Sequence, residues 1–437
     1  MRKWILLAGL SLALAGCSSD LFGGATETPL PGDRVSVMVQ ESGIEPDPAL
    51  ADTAVYLPPA VENEQWPQPG GVPSHNVPHV AAGEFTVAWR TSVGSGSGRS
   101  GRVSSPPVVA GGRVYTVDAE TQVTAVDAAT GDRIWKFDVT PAKESAGGAG
   151  GGVAYDSGRL YVATGYAEVI ALDAETGKEI WRHSVTAPLR TGPTIGNGRV
   201  FATTIDNQVY ALDAETGQRR WVHSGIAEAA GLYGSASPAL DGNIVIAAFS
   251  SGELFAIRAD NGRVLWSDSL AGALRPDPVS SLADIRGLPI VDRGQVFAAS
   301  NAGRFVSIDL RSGGRIWDQD IGSTVTPWLA GAYIFATTVD NELVALTRRD
   351  GRVRWATQLP QFRDEKARRG RIAWTGPILA GARLFVASSE GEGLIVSPLT
   401  GEITDRVSLP GAVFVRPVVA NRTVYVLTDN ADLVALR

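Results

Sequence analysis

The stretch Ala171-Leu-Asp-Ala-Glu-Thr-Gly177 stands four residues before Trp181, and it recurs unchanged from Ala211 to Gly217, four residues before Trp221. Degenerate copies keep the same Gly-to-Trp spacing elsewhere in the chain. They are Gly131/Trp135, Gly262/Trp266, Gly313/Trp317 and Gly351/Trp355. Consecutive tryptophans lie about 38 to 51 residues apart, which is the range of β-propeller blades rather than of leucine-rich or ankyrin repeats.

The sequence of each unit also predicts short strands separated by turns. A proline and a few apolar residues precede a glycine turn, and a run such as Val-Tyr-Thr-Val or Leu-Tyr-Val-Ala follows it. The Asp-Ala-x-Thr-Gly stretch is typical of a hairpin, because the aspartate bonds nearby backbone amides and the glycine adopts positive φ. Each unit is therefore predicted to hold four antiparallel strands, of which the Trp strand is the last.

Two weaker units complete the count. The unit that starts at Pro377 has Asp405 at its Trp position, and the last unit stops at Arg437, before its Trp strand is due. An orphan Trp strand, Phe85-Thr-Val-Ala-Trp89, precedes the first full unit. If this strand joins the last blade, no sheet edge stays open. Residues 84–437 are therefore predicted to form an all-β, eight-bladed β-propeller that the N-terminal strand closes.

A tryptophan in the same phase of each blade is predicted to dock on the neighbouring blade, because an indole offers a large apolar surface. The predicted docking residues are Trp89, Trp135, Trp181, Trp221, Trp266, Trp317 and Trp355. His183 and His223 each stand two residues after such a tryptophan, so copying of the repeat explains both.

The chain begins with a short cationic segment, an apolar run from Trp4 to Leu14, and the tetrapeptide Leu14-Ala-Gly-Cys17. The run is too short to span a bilayer. Residues 1–17 resemble a bacterial lipoprotein signal, which implies that Cys17 becomes the first mature residue and carries the acyl chains, palmitate included. The residue after Cys17 is Ser18. In that family an Asp at this position opposes sorting to the outer membrane, so Ser18 implies the outer membrane. An ordinary secretory signal with an incidental cysteine is the alternative.

Residues 18–83 are rich in Pro, Gly and acidic residues, with clusters at Glu45-Pro-Asp-Pro48 and Trp66-Pro-Gln-Pro-Gly-Gly71. This composition predicts a flexible tether that is stiffened locally by proline, and the stretch around Trp66 is the part that could pack on the propeller. A metal pair made by His75 and His79 is the less favoured alternative, so no metal site is predicted.

Composition excludes several function classes. A net charge of -7 and a pI near 5.3 argue against a nucleic-acid partner. The densest charge run, residues 363–371, is mixed in sign and is interpreted as a solvated loop. No Gly-x-Ser-x-Gly elbow, His-Glu-x-x-His motif or phosphate loop occurs in the sequence. No catalytic residue and no cofactor site are assigned, although carboxylates that meet across the central channel stay open as an alternative.

The Ala-x-Asp-x-x-Thr-Gly-x-x-x-Trp unit resembles the repeat of pyrroloquinoline-quinone (PQQ) dehydrogenases and their non-enzymatic relatives. Those enzymes carry two adjacent cysteines beside the quinone, a pair that a single cysteine cannot form. The lipoprotein signal, the Pro-rich segment and the eight blades together resemble the BamB family, in the form found in alphaproteobacteria. This resemblance implies a scaffold lipoprotein of the outer-membrane β-barrel assembly (BAM) complex, on the periplasmic face of the outer membrane. A periplasmic PQQ-dependent dehydrogenase is the alternative.

The same resemblance implies partners: BamA, other BAM subunits and unfolded outer-membrane protein precursors. Two segments ahead of blades supply the family's surface for BamA. The first corresponds to Gly231-Leu-Tyr-Gly-Ser-Ala-Ser-Pro238, where Leu232 matches the family pattern and Tyr233 replaces an Arg.

The second segment corresponds to Leu282-Ala-Asp-Ile-Arg286, where Leu282 and Asp284 match and Arg286 reverses a charge. The leucines and Tyr233 are thus expected to be anchors that a partner buries, and the two charged residues to lie on the rim of the interface. Ordinary loop residues between blades are the alternative.

Overall fold

The computed structural model describes residues 43–51, 53–99, 101–144, 150–228, 231–272 and 282–437. Backbone contacts divide the chain into residues 1–43 and residues 44–437. The predicted signal and Cys17 lie outside the described residues. Within the described ranges, no helix is long and apolar enough to cross a membrane.

The described residues form eight four-stranded antiparallel sheets and one two-stranded hairpin. Strand β1 is Val87–Ser92. Blade 1 holds β2 (Val108–Ala110), β3 (Arg113–Val117), β4 (Gln122–Asp127) and β5 (Arg133–Asp138); blade 2 holds β6 (Gly151–Asp156), β7 (Arg159–Thr164), β8 (Glu168–Asp173) and β9 (Glu179–Ser184). Blade 3 holds β10 (Thr194–Gly196), β11 (Arg199–Thr203), β12 (Gln208–Asp213) and β13 (Arg219–Ser224); blade 4 holds β14 (Ala239–Asp241), β15 (Ile244–Ala248), β16 (Glu253–Arg258) and β17 (Val264–Ser269).

Blade 5 holds β18 (Ile290–Asp292), β19 (Gln295–Ala299), β20 (Phe305–Asp309) and β21 (Arg315–Gln319); blade 6 holds β22 (Trp328–Ala330), β23 (Tyr333–Thr337), β24 (Glu342–Thr347) and β25 (Val353–Gln358). The hairpin β26 (Phe362–Asp364) and β27 (Arg369–Arg371) precedes blade 7, which holds β28 (Trp374–Ala380), β29 (Arg383–Ser388), β30 (Glu392–Val396) and β31 (Ile403–Ser408). Blade 8 holds β32 (Val418–Ala420), β33 (Thr423–Leu427), β34 (Asp432–Leu436) and, on its outer edge, β1. A 3₁₀ turn spans Pro48–Leu50.

The predicted eight-bladed propeller is confirmed. In blades 1–7 the strands pair in chain order, from a short inner strand to a solvent-facing outer strand. Val108–Ala110 is buried throughout, whereas Arg133–Asp138 alternates between exposed and half-buried residues. Because the strands are antiparallel, the turns after the first and third strands of each blade lie on one face, called here the turn face. The segments that lead into each inner strand lie on the other, called the open face.

The repeated Asp-Ala-x-Thr-Gly stretch forms the turn between the third and fourth strands. In blade 2, Asp173 accepts hydrogen bonds from the backbone N–H and the hydroxyl of Thr176 at 2.8 and 2.6 Å. Gly177 has φ +73°, a left-handed conformation in which a side chain is strained. The turn therefore depends on these residue types at these positions.

Each repeated tryptophan lies against the turn glycine of the next blade. The ring of Trp181 is so close to Gly217 that a Cβ on that glycine would stand 2.6 Å from Cε3. The Trp181 indole N–H donates to the backbone oxygen of Ala214, in the same turn, at 3.2 Å. The same ring-on-glycine contact joins Trp89 to Gly131, Trp135 to Gly177, Trp221 to Gly262, Trp266 to Gly313, Trp317 to Gly351 and Trp355 to Gly401.

The N-terminal strand closes the ring as predicted. β1 pairs with β34 in antiparallel register from Val87–Leu436 to Ser92–Asp432, with an irregularity near Trp89. Two backbone hydrogen bonds between Thr86 and Arg437 extend the pairing to the last residue of the chain. The outermost strand of blade 8 thus comes from the opposite end of the chain, and it fastens the two ends together.

The predicted tether is too long at its C-terminal end, because residues 44–83 pack on the propeller. The Asp47 N–H donates to the Val353 oxygen of blade 6 at 2.8 Å, and the Asn421 N–H of blade 8 donates to the Asn63 oxygen at 2.7 Å. Trp66 is fully buried. The stretch from residue 44 to residue 83 is therefore part of the folded body, and the rest of the predicted tether, residues 18–42, lies outside the described residues.

Candidate functional site

The inner strands of the eight blades line a central channel, and residues 61–80, called here the plug, enter it from the turn face. Trp66 pairs with Val109 of blade 1 through two backbone hydrogen bonds of 2.7 and 2.8 Å. The side-chain amide of Gln68 makes two hydrogen bonds of 3.0 Å with the backbone of Ile195 in blade 3.

The plug contacts an inner strand in each of the remaining blades as well. Its contacts there are Pro67 with Tyr155, Pro73 with Leu240, Ser74 with Val291, Trp66 with Trp328, Val80 with Ala380, and Asn63 with Val419. Inner strands would otherwise present unpaired backbone groups to the channel. The plug satisfies part of that hydrogen-bonding capacity and ties all eight blades to one segment.

A tight turn inside the channel explains the Pro- and Gly-rich composition that suggested flexibility. A Cβ on Gly70 would lie 2.0 Å from the ring of His75. Gly71 has φ +83°, and its N–H donates to the Gln68 oxygen at 2.7 Å. The glycines are present because the chain reverses in a confined space, and composition alone does not separate that requirement from flexibility.

The two histidines of the plug are buried, and each is held by hydrogen bonds to the protein. The Nδ1 of His75 lies 2.8 Å from the Pro289 oxygen, and burial lowers the pKa of His75 to about 4, so the ring is neutral at pH 7. The Nδ1 of His79 lies 2.8 Å from the Pro58 oxygen, and its Nε2 accepts from the Ala382 N–H. Among the described residues, no group of three or more His, Cys, Asp or Glu side chains could hold a metal ion.

What remains of the channel on the open face is a cavity of about 160 Å³. Pro69 of the plug lines its closed end, and residues that lead into the inner strands form its walls. The guanidinium of Arg416 lies over the rings of Trp328 and Trp66, 5.0 and 5.9 Å from their centroids. Burial lowers the pKa of Arg416 to about 9, which leaves it cationic at neutral pH.

The two segments that the sequence assigns to a partner surface meet on the open face. The Asp284 carboxylate accepts a hydrogen bond from the Leu232 N–H at 3.1 Å. A Cβ on Gly234 would lie 2.7 Å from the Arg286 Nε. These contacts join the loops before blades 4 and 5 around a cleft of about 310 Å³, which Leu232, Asp284 and Arg286 line.

The expected roles of the individual residues change with this geometry. Asp284 is 3% exposed, and burial is the main cause that raises its pKa and lowers that of Arg286. Both were expected to be rim charges, but the loops bury Asp284, whereas Arg286 is half-buried and lines the cleft. Leu232 and Leu282 are half-buried, and Tyr233 lies half-buried under the guanidinium of Arg190, 4.7 Å from its ring centroid. A partner would therefore contact the half-buried Leu232, Tyr233 and Leu282, but not Asp284, so the contact surface is smaller than the sequence predicted.

Sequence reasoning anticipated packing around Trp66 but missed its place inside the channel and the side chains around the cavity. Phe414, 42% exposed, is at the cavity wall, and Ile226, 60% exposed, belongs to the segment that leads into blade 4. Both lie in segments between blades, where no periodicity marks an apolar residue as unusual. The sequence shows that Arg416 stands directly before Pro417, where the last unit begins. No local pattern in the sequence shows that its side chain points into a channel.

Comparison with known proteins gives one consistent family. A family profile described as outer membrane protein assembly factor BamB matches residues 119–357, and a profile of the β-propeller domain of glucose, ethanol and alcohol dehydrogenases matches residues 73–158. The assembly factor BamB of Alkalilimnicola ehrlichii is 39% identical over 350 residues, which are 80% of this chain and 87% of that protein.

Other matches agree at lower coverage or identity. BamB of Legionella pneumophila is 32% identical over 203 residues, so the match covers 46% of this chain and half the length of that relative. The crystal structure of BamB from Moraxella catarrhalis gives a TM-score of 0.66 at 20% identity, covering 80% of this chain and 100% of that one. At this identity the structural likeness shows the fold alone.

Proposed function

This chain belongs to the BamB family of outer membrane protein assembly factors, and from that premise we propose that it is a non-enzymatic scaffold of the BAM complex that docks on a periplasmic domain of BamA. Other BAM subunits and unfolded outer-membrane protein precursors are the further partners that this role implies. The protein would act by holding partners in place, since propeller faces offer broad surfaces built from many loops.

The observation that carries the docking proposal is the convergence of the two family segments into one cleft on the open face. The hydrogen bond from the Leu232 N–H to Asp284 fixes one loop against the other. A surface built from two loops that hold each other is pre-organised, so little conformational entropy is lost when a partner binds. The plug fills the channel from the turn face, so the cleft and the remaining cavity open on the open face.

The fit of the channel supports the non-enzymatic part of the proposal. The cofactor of a propeller dehydrogenase would need room in the channel, and pockets for cofactors typically measure roughly 300–1,000 Å³. The cavity that the plug leaves is about 160 Å³. A quinone therefore does not fit, and the resemblance of residues 73–158 to a dehydrogenase propeller reflects the shared repeat.

The anchoring part of the proposal rests on Cys17, which lies outside the described residues. We infer that Cys17 is acylated and holds the propeller at the periplasmic face of the outer membrane, since two or more acyl chains give stable attachment. A Cys17→Ser variant should leave the washed membrane fraction, and retention there would contradict the anchor.

Docking is tested by the combined change Leu232→Ala, Tyr233→Ala and Leu282→Ala in the full chain. These side chains are partly exposed, so the propeller should stay folded while co-purification of BamA from detergent-solubilised envelopes falls at least about 10-fold, as for the loss of interface anchors. Thermal melting of the purified variant checks the fold.

The matched control is Tyr56→Ala with Leu399→Ala, which removes exposed apolar side chains from the turn face. BamA recovery should equal that of the wild type. If the triple variant is folded and still recovers BamA at the control level, the docking surface lies elsewhere on the ring.

A further inference from the structure

The closed end of the cavity holds the guanidinium of Arg416, two of whose nitrogens have no hydrogen-bond partner among the described residues. The Nε and Nη1 atoms of Arg416 are buried, and among the described residues neither has an acceptor within reach. Its contacts are the faces of Trp66 and Trp328. A buried guanidinium without an acceptor is costly to the free protein, so its presence calls for a ligand that completes it.

The rest of the lining matches an anion in charge and in hydrogen bonding. Arg286 and Arg416 are the charged side chains of the lining, and within the described residues no carboxylate shares it. The hydroxyl of Ser235, also in the lining, is buried and has no partner among those residues. Two guanidinium groups and a free hydroxyl therefore face a space to whose lining the described residues contribute no carboxylate.

The walls of the cavity combine apolar side chains with Ser and Thr residues, and the space is small. Trp374, Phe414, Val415 and Leu288 contribute to them. At about 160 Å³ it is smaller than the roughly 300–1,000 Å³ of pockets that hold drug-sized ligands, which suits a small group such as the end of a chain. Because the plug closes the far end, a chain can enter the cavity but cannot pass through it.

We propose that this cavity, called here the funnel, binds the free C-terminal carboxylate of an extended peptide whose last side chain is apolar. The carboxylate reaches Arg416 at the closed end and forms paired N–H···O hydrogen bonds, the geometry that a guanidinium provides best. The terminal side chain packs against Phe414 and Trp374. A blind pocket of this size selects a chain end over an internal residue, whose following backbone would have no exit.

The site is separate from the proposed docking on BamA, although it opens on the same face. Docking uses the leucines of the two loops, whereas the funnel uses Arg416 and the aromatic walls. Arg416→Gln should consequently leave the co-purification of BamA unchanged, so failure of one proposal does not decide the other.

The test measures fluorescence anisotropy of an N-terminally labelled Gly-Ser-Gly-Ser-Phe peptide with the full chain. The free acid should bind, and the C-terminal amide of the same peptide should bind roughly 10- to 100-fold more weakly, as expected when a charge-assisted hydrogen-bond pair is lost. Arg416→Gln should weaken binding of the free acid by a similar factor and leave the amide unchanged. The affinity of Arg416→Lys for the free acid should lie between those of the wild type and Arg416→Gln, because an ammonium keeps the charge but cannot donate the paired hydrogen bonds of a guanidinium.

Arg422→Gln, which removes a 64% exposed arginine from the turn face, is the matched control and should bind as the wild type does. Melting temperatures check that each variant is folded. If Arg416→Gln does not fold, Phe414→Ala in the funnel wall, which does not line the docking cleft, replaces it and should weaken binding of the free acid. Equal binding of acid and amide, equal binding of an amidated peptide with an internal Glu, or displacement by inorganic phosphate at the peptide's own concentration would overturn the chain-end assignment.

Discussion

Seven of the eight joints between neighbouring blades are built alike, and the joint between blades 7 and 8 differs. At each of the seven, a tryptophan of one outer strand lies on the turn glycine of the next blade. At the eighth, Asp405 stands at the Trp position, opposite Ile395, and it is exposed. Blade 8 has no turn between its third and fourth strands, since β34 is the last strand in the sequence and β1 is the first. The tryptophan is missing where the glycine turn that would receive it is missing.

A residue from the other end of the chain fills the space. Phe85 is 4% exposed, and its ring lies 5.3 Å from that of Phe385 in the second strand of blade 7. In other blades the aromatic residue at the position of Phe385 contacts the blade tryptophan. The guanidinium of Arg383 lies over the Phe85 ring at 4.7 Å. The contact between tryptophan and glycine thus needs both of two adjacent blades. At the joint between blades 7 and 8 both residues are missing, and Phe85 packs there instead.

The largest effect should follow from breaking the eighth joint. Replacing residues 84–92 with a Gly-Ser sequence of the same length removes β1, Phe85 and Trp89 while it keeps the plug connected. Loss of one large buried aromatic costs about 3–5 kcal/mol, and here two are lost together with a strand. The free energy of unfolding in urea should therefore fall by more than about 5 kcal/mol.

The matched control replaces residues 363–371 of the β26–β27 hairpin, a segment of equal length that is exposed throughout. Its unfolding free energy should change by less than about 1 kcal/mol. If both replacements destabilise the protein equally, closure by the N-terminal strand contributes nothing special.

The next effect compares an intact joint with the altered one. Trp266 is 8% exposed, and its indole N–H donates to the Leu310 oxygen at 2.8 Å. Trp266→Ala should cost about 3–5 kcal/mol in urea denaturation. Asp405→Trp restores the repeat in sequence but should yield no stabilisation, because no turn glycine stands opposite. A gain of 2 kcal/mol or more, on the order of a buried side chain, would show that the tryptophan needs no such partner.

A smaller effect isolates the contact between ring and glycine. Gly217 and Gly198 have φ of +72° and +67°, so an alanine is strained to a similar degree at both. A Cβ at Gly217 would meet Trp181 at 2.6 Å, whereas at Gly198 it would meet no heavy atom within 4 Å. Gly198→Ala should cost about 1 kcal/mol and Gly217→Ala about 2–3 kcal/mol, by thermal or urea unfolding. Equal losses would mean that backbone strain alone explains the glycine.

The repeated half of this comparison could be predicted from the sequence, since each feature appears several times. The spacing of Gly177 and Trp181, repeated in six units, is enough to assign the blade, its turn and its phase. The last unit, which stops at Arg437 before its Trp strand, and the orphan strand at Trp89 were each visible, and together they predicted closure. Repetition separates a structural requirement from an accident of one segment.

Features that occur once could not be predicted in this way. The sequence around Gly70 and Gly71 predicts flexibility because Pro and Gly are also typical of linkers. The structure shows that Gly70 packs so closely on His75 that a side chain would not fit there. The burial of Asp284 and Arg286 arises from contacts between two loops that are far apart in sequence, as does the position of Arg416. Such contacts depend on tertiary packing, for which a single sequence holds no local signal.

The smallest effect concerns acid, and it distinguishes a joint with a turn from the joint without one. The pKa of Asp213 is lowered to about 2, first by the hydrogen bond from Arg220 and then by those from Thr216. The pKa in the unfolded chain is near 3.8, so the folded state favours the ionised form. This contribution to stability is present above about pH 4 and is lost as the pH falls toward 2. Because the pair with Arg220 is solvent-accessible, it should amount to less than about 1 kcal/mol. Asp213→Asn should therefore be slightly less stable than the wild type at pH 6, and the two should converge by pH 2 in urea unfolding followed at each pH. Asp405→Asn, which changes the net charge by the same amount at the joint that lacks the contact between ring and glycine, is the charge-matched control. A constant gap between Asp213→Asn and the wild type from pH 6 to pH 2 would contradict the assigned role of the ionised turn aspartate.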